Sequence, residues 1–350
     1  MRAMLGVILV AFAAGAGEGD AIPTPDGGHP DASARGLVDT PAAEGTVLVL
    51  GPQIAAANEV VSGLRDELAD HYQIVERKVT AATSVEVLSQ IIREVEPLVL
   101  VLLDNPTVRL YRALQAVQPP GTRFQPAVVL MAAFFEQASA GLQNTTGISY
   151  EVPAVIGFVN LRSLLGRPLR KVGVLFRHGF EGVVARQGEL AAAEGFTLAG
   201  RVLDDGDRVK AVKRGLRRLL DYDHVDALWV LNDSALLFPE LLARAWLPVL
   251  RHGHIPVMVG VSSLVSAKLA FGIFAVLPDH RALGRQAAGL VDTLAEANWV
   301  VGAHRPLLPV AIEKVLNVGM ARALAPIREE RLREVDRLIE AGAEEGQREP

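Results

Sequence analysis

The run Leu98-Val99-Leu100-Val101-Leu102-Leu103, followed at once by Asp104-Asn105-Pro106, sets the architecture of this chain. A strand wetted on one face alternates apolar and polar residues. A run without alternation suits a strand covered on both faces, as in a parallel sheet under helices, and the Asp-Asn-Pro that follows opens a helix. Toward the N-terminus, residues 46–50 repeat the pattern and close at Gly51-Pro52. A helix after them sets Val60, Val61, Leu64 and Leu68 on one face. A second helix carries a start signal, Thr83 with Glu86 three residues on, and is expected to bury Val87, Leu88, Ile91, Ile92 and Val95. Toward the C-terminus lies another buried strand, 127–131.

After Asn144-Thr145-Thr146-Gly147 the grammar restarts: strand 172–176, helix 182–194, strand 197–203, helix 209–220, strand 225–231, a helix around 241–250 and strand 256–261. Helix 209–220 has a basic face of Lys210, Lys213, Arg214, Arg217 and Arg218. A strand at 271–276, a helix at 279–297 and a strand at 310–316 are too few to enclose a third core. They must be shared, the chain crossing back to the first half and returning. The expected fold is therefore α/β, two doubly wound parallel-sheet lobes joined by several hinge crossings. The first lobe is 46–146 plus 277–306, the second 147–276 plus 307–326, and 327–350 is a charged terminal helix and tail.

The 350 residues suffice for two such cores, and 50% hydrophobic with 21% charged residues is a globular balance. The net charge of -5 is mild, and no nucleic-acid partner is expected. The lack of cysteine removes disulfides, thiolate nucleophiles, zinc–thiolate sites and lipidation at an N-terminal Cys. Met1-Arg2, an apolar run over 3–14 and the small residues Gly15, Ala16 and Gly17 read as a secretory signal cut after Ala16. That run is about a dozen residues, short of the roughly 20 that span a membrane. Residues 17–45 then form a flexible leader, and a periplasmic location is expected.

Asn144-Thr145-Thr146-Gly147-Ile148, Lys171-Val172-Gly173-Val174-Leu175, Val225-Asp226-Ala227-Leu228-Trp229, Ile255-Pro256-Val257, Leu283-Gly284-Arg285-Gln286-Ala287-Ala288, and Asn317 followed by Ala321 occur in an order that resembles the ABC transporter substrate-binding proteins. The resemblance is to the group that includes aromatic amino acid binders, over about residues 46–326. It implies the type I periplasmic-binding-protein fold, two lobes joined by three hinge crossings, with a ligand in the cleft between lobes. Two positions depart from the group: Asp104-Asn105-Pro106, where a small or hydroxyl residue precedes Pro, and His280-Arg281, where paired aromatics are usual.

In open parallel sheets, ligands bind beyond the carboxyl ends of strands. That nominates Gln53, Asp104, Asn105 and Phe134 in the first lobe, and Arg177, His178, Asn232, Asp233, Ser234, Ser262 and Ser263 in the second. Asn, Ser and Asp supply directional hydrogen bonds, Arg a fork for a carboxylate, and Phe134 a stacking face. Helix capping is the competing role for Asp104, Asn105 and Ser234. His252-Gly253-His254 lacks an acidic cluster and reads as a surface loop, so no metal is expected. No phosphate-cradle motif follows a strand, and Gly260-Val261-Ser262-Ser263-Leu264 fails the hydrolase elbow at its last position.

These readings converge on an extracytoplasmic solute-binding protein without cofactor, capturing a small polar or amino-acid-like ligand for an ABC permease. The alternatives are a sensor or accessory subunit of the same fold and, behind it, an α/β enzyme. Asp233→Ala is expected to weaken binding while shifting the melting temperature no more than a surface substitution does.

Overall fold

The computed structural model describes residues 43–302 and 306–340. The signal segment 1–16, leader residues 17–42 and tail residues 341–350 lie outside them. The described chain forms two sheets, each covered by helices on both faces.

The first sheet is built by β1 (Gly45–Gly51), α1 (Ala55–Leu68), β2 (Tyr72–Lys78), α2 (Val85–Val95), β3 (Val99–Leu103), α3 (Asn105–Ala116), β4 (Ala127–Leu130), α4 (Phe135–Ser139) and β5 (Thr145–Gly147). Its order is β2-β1-β3-β4-β5, all parallel. Neighbouring residues of β3 feed opposite cores. Val99, Val101 and Leu103 pack with α1, whereas Leu100 and Leu102 pack with α3. Period-two geometry with both faces dry is what turns this strand into an uninterrupted apolar run.

The second sheet contains α5 (Ala154–Leu164), β6 (Lys171–Phe176), α6 (Glu181–Ala193), β7 (Thr197–Val202), α7 (Arg208–Arg217) running into a π-helical turn (Arg218–Tyr222), and β8 (Ala227–Val230). Then come α8 (Pro239–Leu241), a second π-helical turn (Leu242–Trp246), α9 (Leu247–Gly253), β9 (Val257–Val259) and β10 (Phe274–Pro278). From Pro278 the chain leaves for α10 (His280–Glu296), returns as β11 (Ile312–Asn317), and ends with α11 (Val318–Leu324), a 3-10 turn (Glu329–Glu334) and β12 (Arg337–Ile339). The seven strands lie in the order β12-β11-β10-β9-β8-β6-β7.

Helix α10 packs on the first lobe, where Leu283, Ala287, Ala288, Val291 and Leu294 share a core with Val60, Val61 and Leu64. The molecule is thus two-lobed, with crossings at 148–153, 278–279 and 307–311.

Several local expectations need correcting. The second sheet is not wholly parallel, because β11 runs antiparallel to β10 with Pro278 opposite Ile312. The chain re-enters at the end where β10 left, so it can only run back. The cap of α2 is Ser84, whose side chain accepts from Val87 N, and not Thr83. Val87 is 46% exposed, outside the core. The described part of the charged terminal stretch, 327–340, is not an α-helix: it makes the 3-10 turn and then β12, which pairs with β11. Among the described residues no helix is long and apolar enough to cross a membrane.

Candidate functional site

The carboxyl ends of the strands present the nominated loops. Asp104 sits just past β3 at φ +121°, a region that disfavours L side chains. Its carboxylate caps α3 by accepting from Thr107 N at 2.9 Å. Burial pushes its pKa up, against the pull of that bond. Asn105 is fully engaged with the next loop: Nδ2 donates to Ala133 O at 2.8 Å and Oδ1 accepts from Ala133 N at 2.7 Å. Phe134 has left-handed backbone, and its N–H donates to Glu151 Oε1 at 2.7 Å. Gln53 is exposed past β1.

In the second lobe, Arg177 forks onto Asp233, Nε to Oδ2 at 2.6 Å and Nη2 to Oδ1 at 2.9 Å. Asp233 is 5% exposed and Arg177 36%. The carboxylate holds the Arg177 pKa above its usual value. The guanidinium lies 5.3 Å from the Phe180 ring centre, a cation–π contact. His178 is exposed and pairs with Glu181 at 3.0 Å. Asn232 Oδ1 is buried without a partner, and the side chain lies so close to Gly260 that a Cβ there would collide with it. Ser234 and Ser263 are exposed, and Ser262 is half-buried at the start of a 3-10 turn.

The lobes touch across this region. Phe134 meets Phe180 edge to face at 4.6 Å, and Gln137 Nε2 donates to Gly179 O at 3.1 Å. The crossings are bonded to one another: Ser149 N donates to Leu307 O and Asp279 N to Ala311 O. Tyr150 Oη and His280 Nε2 are 2.9 Å apart, and His280 Nδ1 is 3.2 Å from Glu59 Oε2. This chain of bonds ties the first and second crossings to α1. Beside it, Glu151 accepts from Phe134 N and from Ser149 Oγ. Burial lifts its pKa, and no cationic side chain of the described residues pairs with it.

No family model and no curated protein matches the chain. Solved structures do. An ABC domain in complex with L-Trp from Streptococcus pneumonia is 16% identical, with 84% of this chain and 99% of that one covered and a TM-score of 0.56. A ligand-free, open substrate-binding protein with adhesive properties from Clostridium difficile is 13% identical, with 85% and 99% covered and a TM-score of 0.60. A conserved domain protein from Vibrio cholerae is 18% identical, with 84% and 99% covered and a TM-score of 0.57. The chain has the type I periplasmic-binding-protein fold.

In a type I periplasmic-binding-protein fold the interlobe cleft collects side chains from both sheets. Where the lobes touch, the structure brings Phe134 against Phe180 and Arg177 against Asp233 and Phe180, with Glu151 accepting the Phe134 N–H. Asp104 and Asn105 shape the first-lobe loops with the polar atoms that a ligand would use. Sequence reading missed Glu151, Tyr150 and Phe180, and marked His280 only as a departure from the resembled group. Glu151 had one available signal, a lone carboxylate in the segment after the fifth strand; the others depend on tertiary contacts. The expectation that Asp233→Ala would behave as a surface substitution is overturned, because that carboxylate is buried and bidentately paired. Among the described residues no group of three or more His, Cys, Asp or Glu could hold a metal ion.

The crossing network gives a direct test. His280→Ala removes the partner of the Tyr150 hydroxyl and opens space at a side chain 8% exposed. A loss of about 2 kcal/mol of unfolding free energy is expected, the cost of one stranded polar group. Tyr150→Phe, which removes the hydroxyl and keeps the ring, is expected to cost less. Urea unfolding of both variants checks the order.

Proposed function

We propose that the chain is an extracytoplasmic solute-binding protein that closes its two lobes over a small amino-acid-like ligand and delivers it to an ABC permease. The observation that carries this reading is the pairing of opposite demands in one cleft. Glu151 is a half-buried carboxylate with no cationic partner among the described residues, and Arg177 keeps Nη1 outside its fork with Asp233. A ligand ammonium would answer the first, and a ligand carboxylate the second. The ring faces of Phe134 and Phe180 supply an apolar wall between them. Contacts available only when both lobes are engaged would stabilise the closed state, which is how a ligand shifts such an equilibrium. Binding, without turnover, is what these groups support.

Native mass spectrometry of protein purified without refolding tests the reading, with a retained amino-acid-like solute as the expected result. Glu151→Gln sharpens it. A carboxyl whose folded pKa is raised costs stability once pH exceeds its unfolded value of about 4.3, and costs nothing below it. The variant is therefore as stable as the parent, or more so, at pH 7, the difference fading as pH falls into the ordinary carboxylate range. Affinity for the retained solute should nevertheless drop by about tenfold or more, or about 1.4 kcal/mol. Unchanged affinity would remove Glu151 from the site.

A further inference from the structure

We propose that the pole of the second lobe opposite the cleft carries a second site, for a linear anion bearing several phosphate groups. The basic face of α7 is only partly spent on ion pairs. Lys210 pairs with Asp207 and Arg214 with Asp204, but Lys213 and Arg217 have neither an ion pair nor a hydrogen bond to any described residue. Both line a hollow of about 790 Å³ at the amino ends of β6, β8 and β9. Arg167 stands across from them, fixed by donation from Nη2 to Asp226 O at 2.7 Å.

The hollow continues into a second of about 430 Å³ that shares Arg167 and Pro168 and adds Arg162 and Arg328. These two guanidiniums are also held in place. Arg328 Nη1 donates to Ser163 O at 2.8 Å, and Arg162 lies 4.2 Å from the Phe196 ring centre. The two hollows adjoin at Arg167 and Pro168; taken as one trough, they carry Lys213 and Arg217 in the first hollow and Arg162 and Arg328 in the second.

Two carboxylates oppose them. Asp226 is occupied, its Oδ2 accepting the backbone N–H groups of Arg170 and Lys171, both at 2.8 Å. Asp221 is the other. The balance stays positive, and guanidinium forks held in advance match phosphate oxygens without first being ordered. Separate cation groups strung along a trough fit a chain of charges better than a single one. The apolar floor, Val225 and Ile255, reduces the competition from water for those contacts.

The test is titration calorimetry of the full chain with tripolyphosphate at low salt, alongside co-sedimentation with phosphatidylcholine vesicles with and without phosphatidylglycerol. Binding that weakens as salt screens it is expected. The double variant Lys213→Glu/Arg217→Glu should lose about tenfold or more in affinity, or about 1.4 kcal/mol. Arg218→Glu, on the same helix but outside the trough, should change affinity much less. Binding of tripolyphosphate supports the site; binding of the anionic vesicles without tripolyphosphate overturns it, since phosphatidylglycerol offers one phosphate per headgroup and no linear run. No binding of either probe, indifference to the double variant, or an equal loss with Arg218→Glu overturns the site. The cleft reading is untouched by any of these results, since no trough residue lies in the cleft.

Discussion

Gly284→Val is expected to lower the unfolding free energy by about 3 kcal/mol, the upper range for overpacking a tight interior. The reason is how α10, arriving from the second lobe, fastens onto α1. A Cβ on Gly284 would collide with the carbonyl oxygen of Val60, and one on Gly63 with that of Arg281. The helices therefore meet backbone to backbone, and backbone cannot rotate aside as a side chain can. Around the crossing, Arg281 and Arg285 both bond Asp66, whose pKa they hold down at about 2. The stability from this cluster is present above the ordinary carboxylate range and is lost as pH falls through about 2. Those ion pairs are exposed, so the glycine contact and the apolar residues beside it dominate. Urea unfolding should show a lower midpoint with unchanged slope, since the surface exposed on unfolding is the same. An unaltered midpoint would mean that the helices separate freely, and the described packing would be wrong.

Arg177→Met is the second large effect. It leaves the Asp233 carboxylate, 5% exposed, with only the Ala235 N–H at 3.0 Å. Removing one partner of a buried pair costs roughly 3–5 kcal/mol, and the partial exposure of Arg177 argues for the lower figure, about 3 kcal/mol. Adding Asp233→Asn to Arg177→Met should recover a large part of that loss, because the stranded charge is gone. Thermal melts of both single variants and the double close the cycle, with a coupling of about 2 kcal/mol expected. Additive effects would show that the two residues do not act as a pair. This is also why a loss of ligand binding in Asp233→Ala must be read beside its melting temperature.

The fold was legible wherever burial on both faces left its mark on composition. The β3 run is apolar throughout because its alternate residues enter two cores. The edge strand β2, Tyr-Gln-Ile-Val-Glu-Arg-Lys, escaped notice because most of it is not buried and four of its seven residues, Gln73, Glu76, Arg77 and Lys78, are charged or polar. Helix α5 was missed because apolar residues surround it, with Phe158 and Leu161 buried and Val155 and Val159 packed nearby, leaving no clear stripe. The loops beyond the strand ends could be placed from sequence because parallel topology dictates where strand ends gather. What those loops do was not legible: Arg177 and Asp233 are 56 residues apart, and Asn105 reaches its partner 28 residues on. Pairings of that range are products of the fold.

The strand β12 has a further meaning for how the molecule keeps to itself. Its three residues complete the flank of the seven-stranded sheet by covering one side of β11. A shortened chain ending before Arg337 would bare a row of unsatisfied amides and carbonyls on Val315, Leu316 and Asn317. Bare strand flanks template pairing between molecules. Recombinant boundaries that trim this charged terminus should therefore raise self-association and reduce solubility, even with the cleft itself intact.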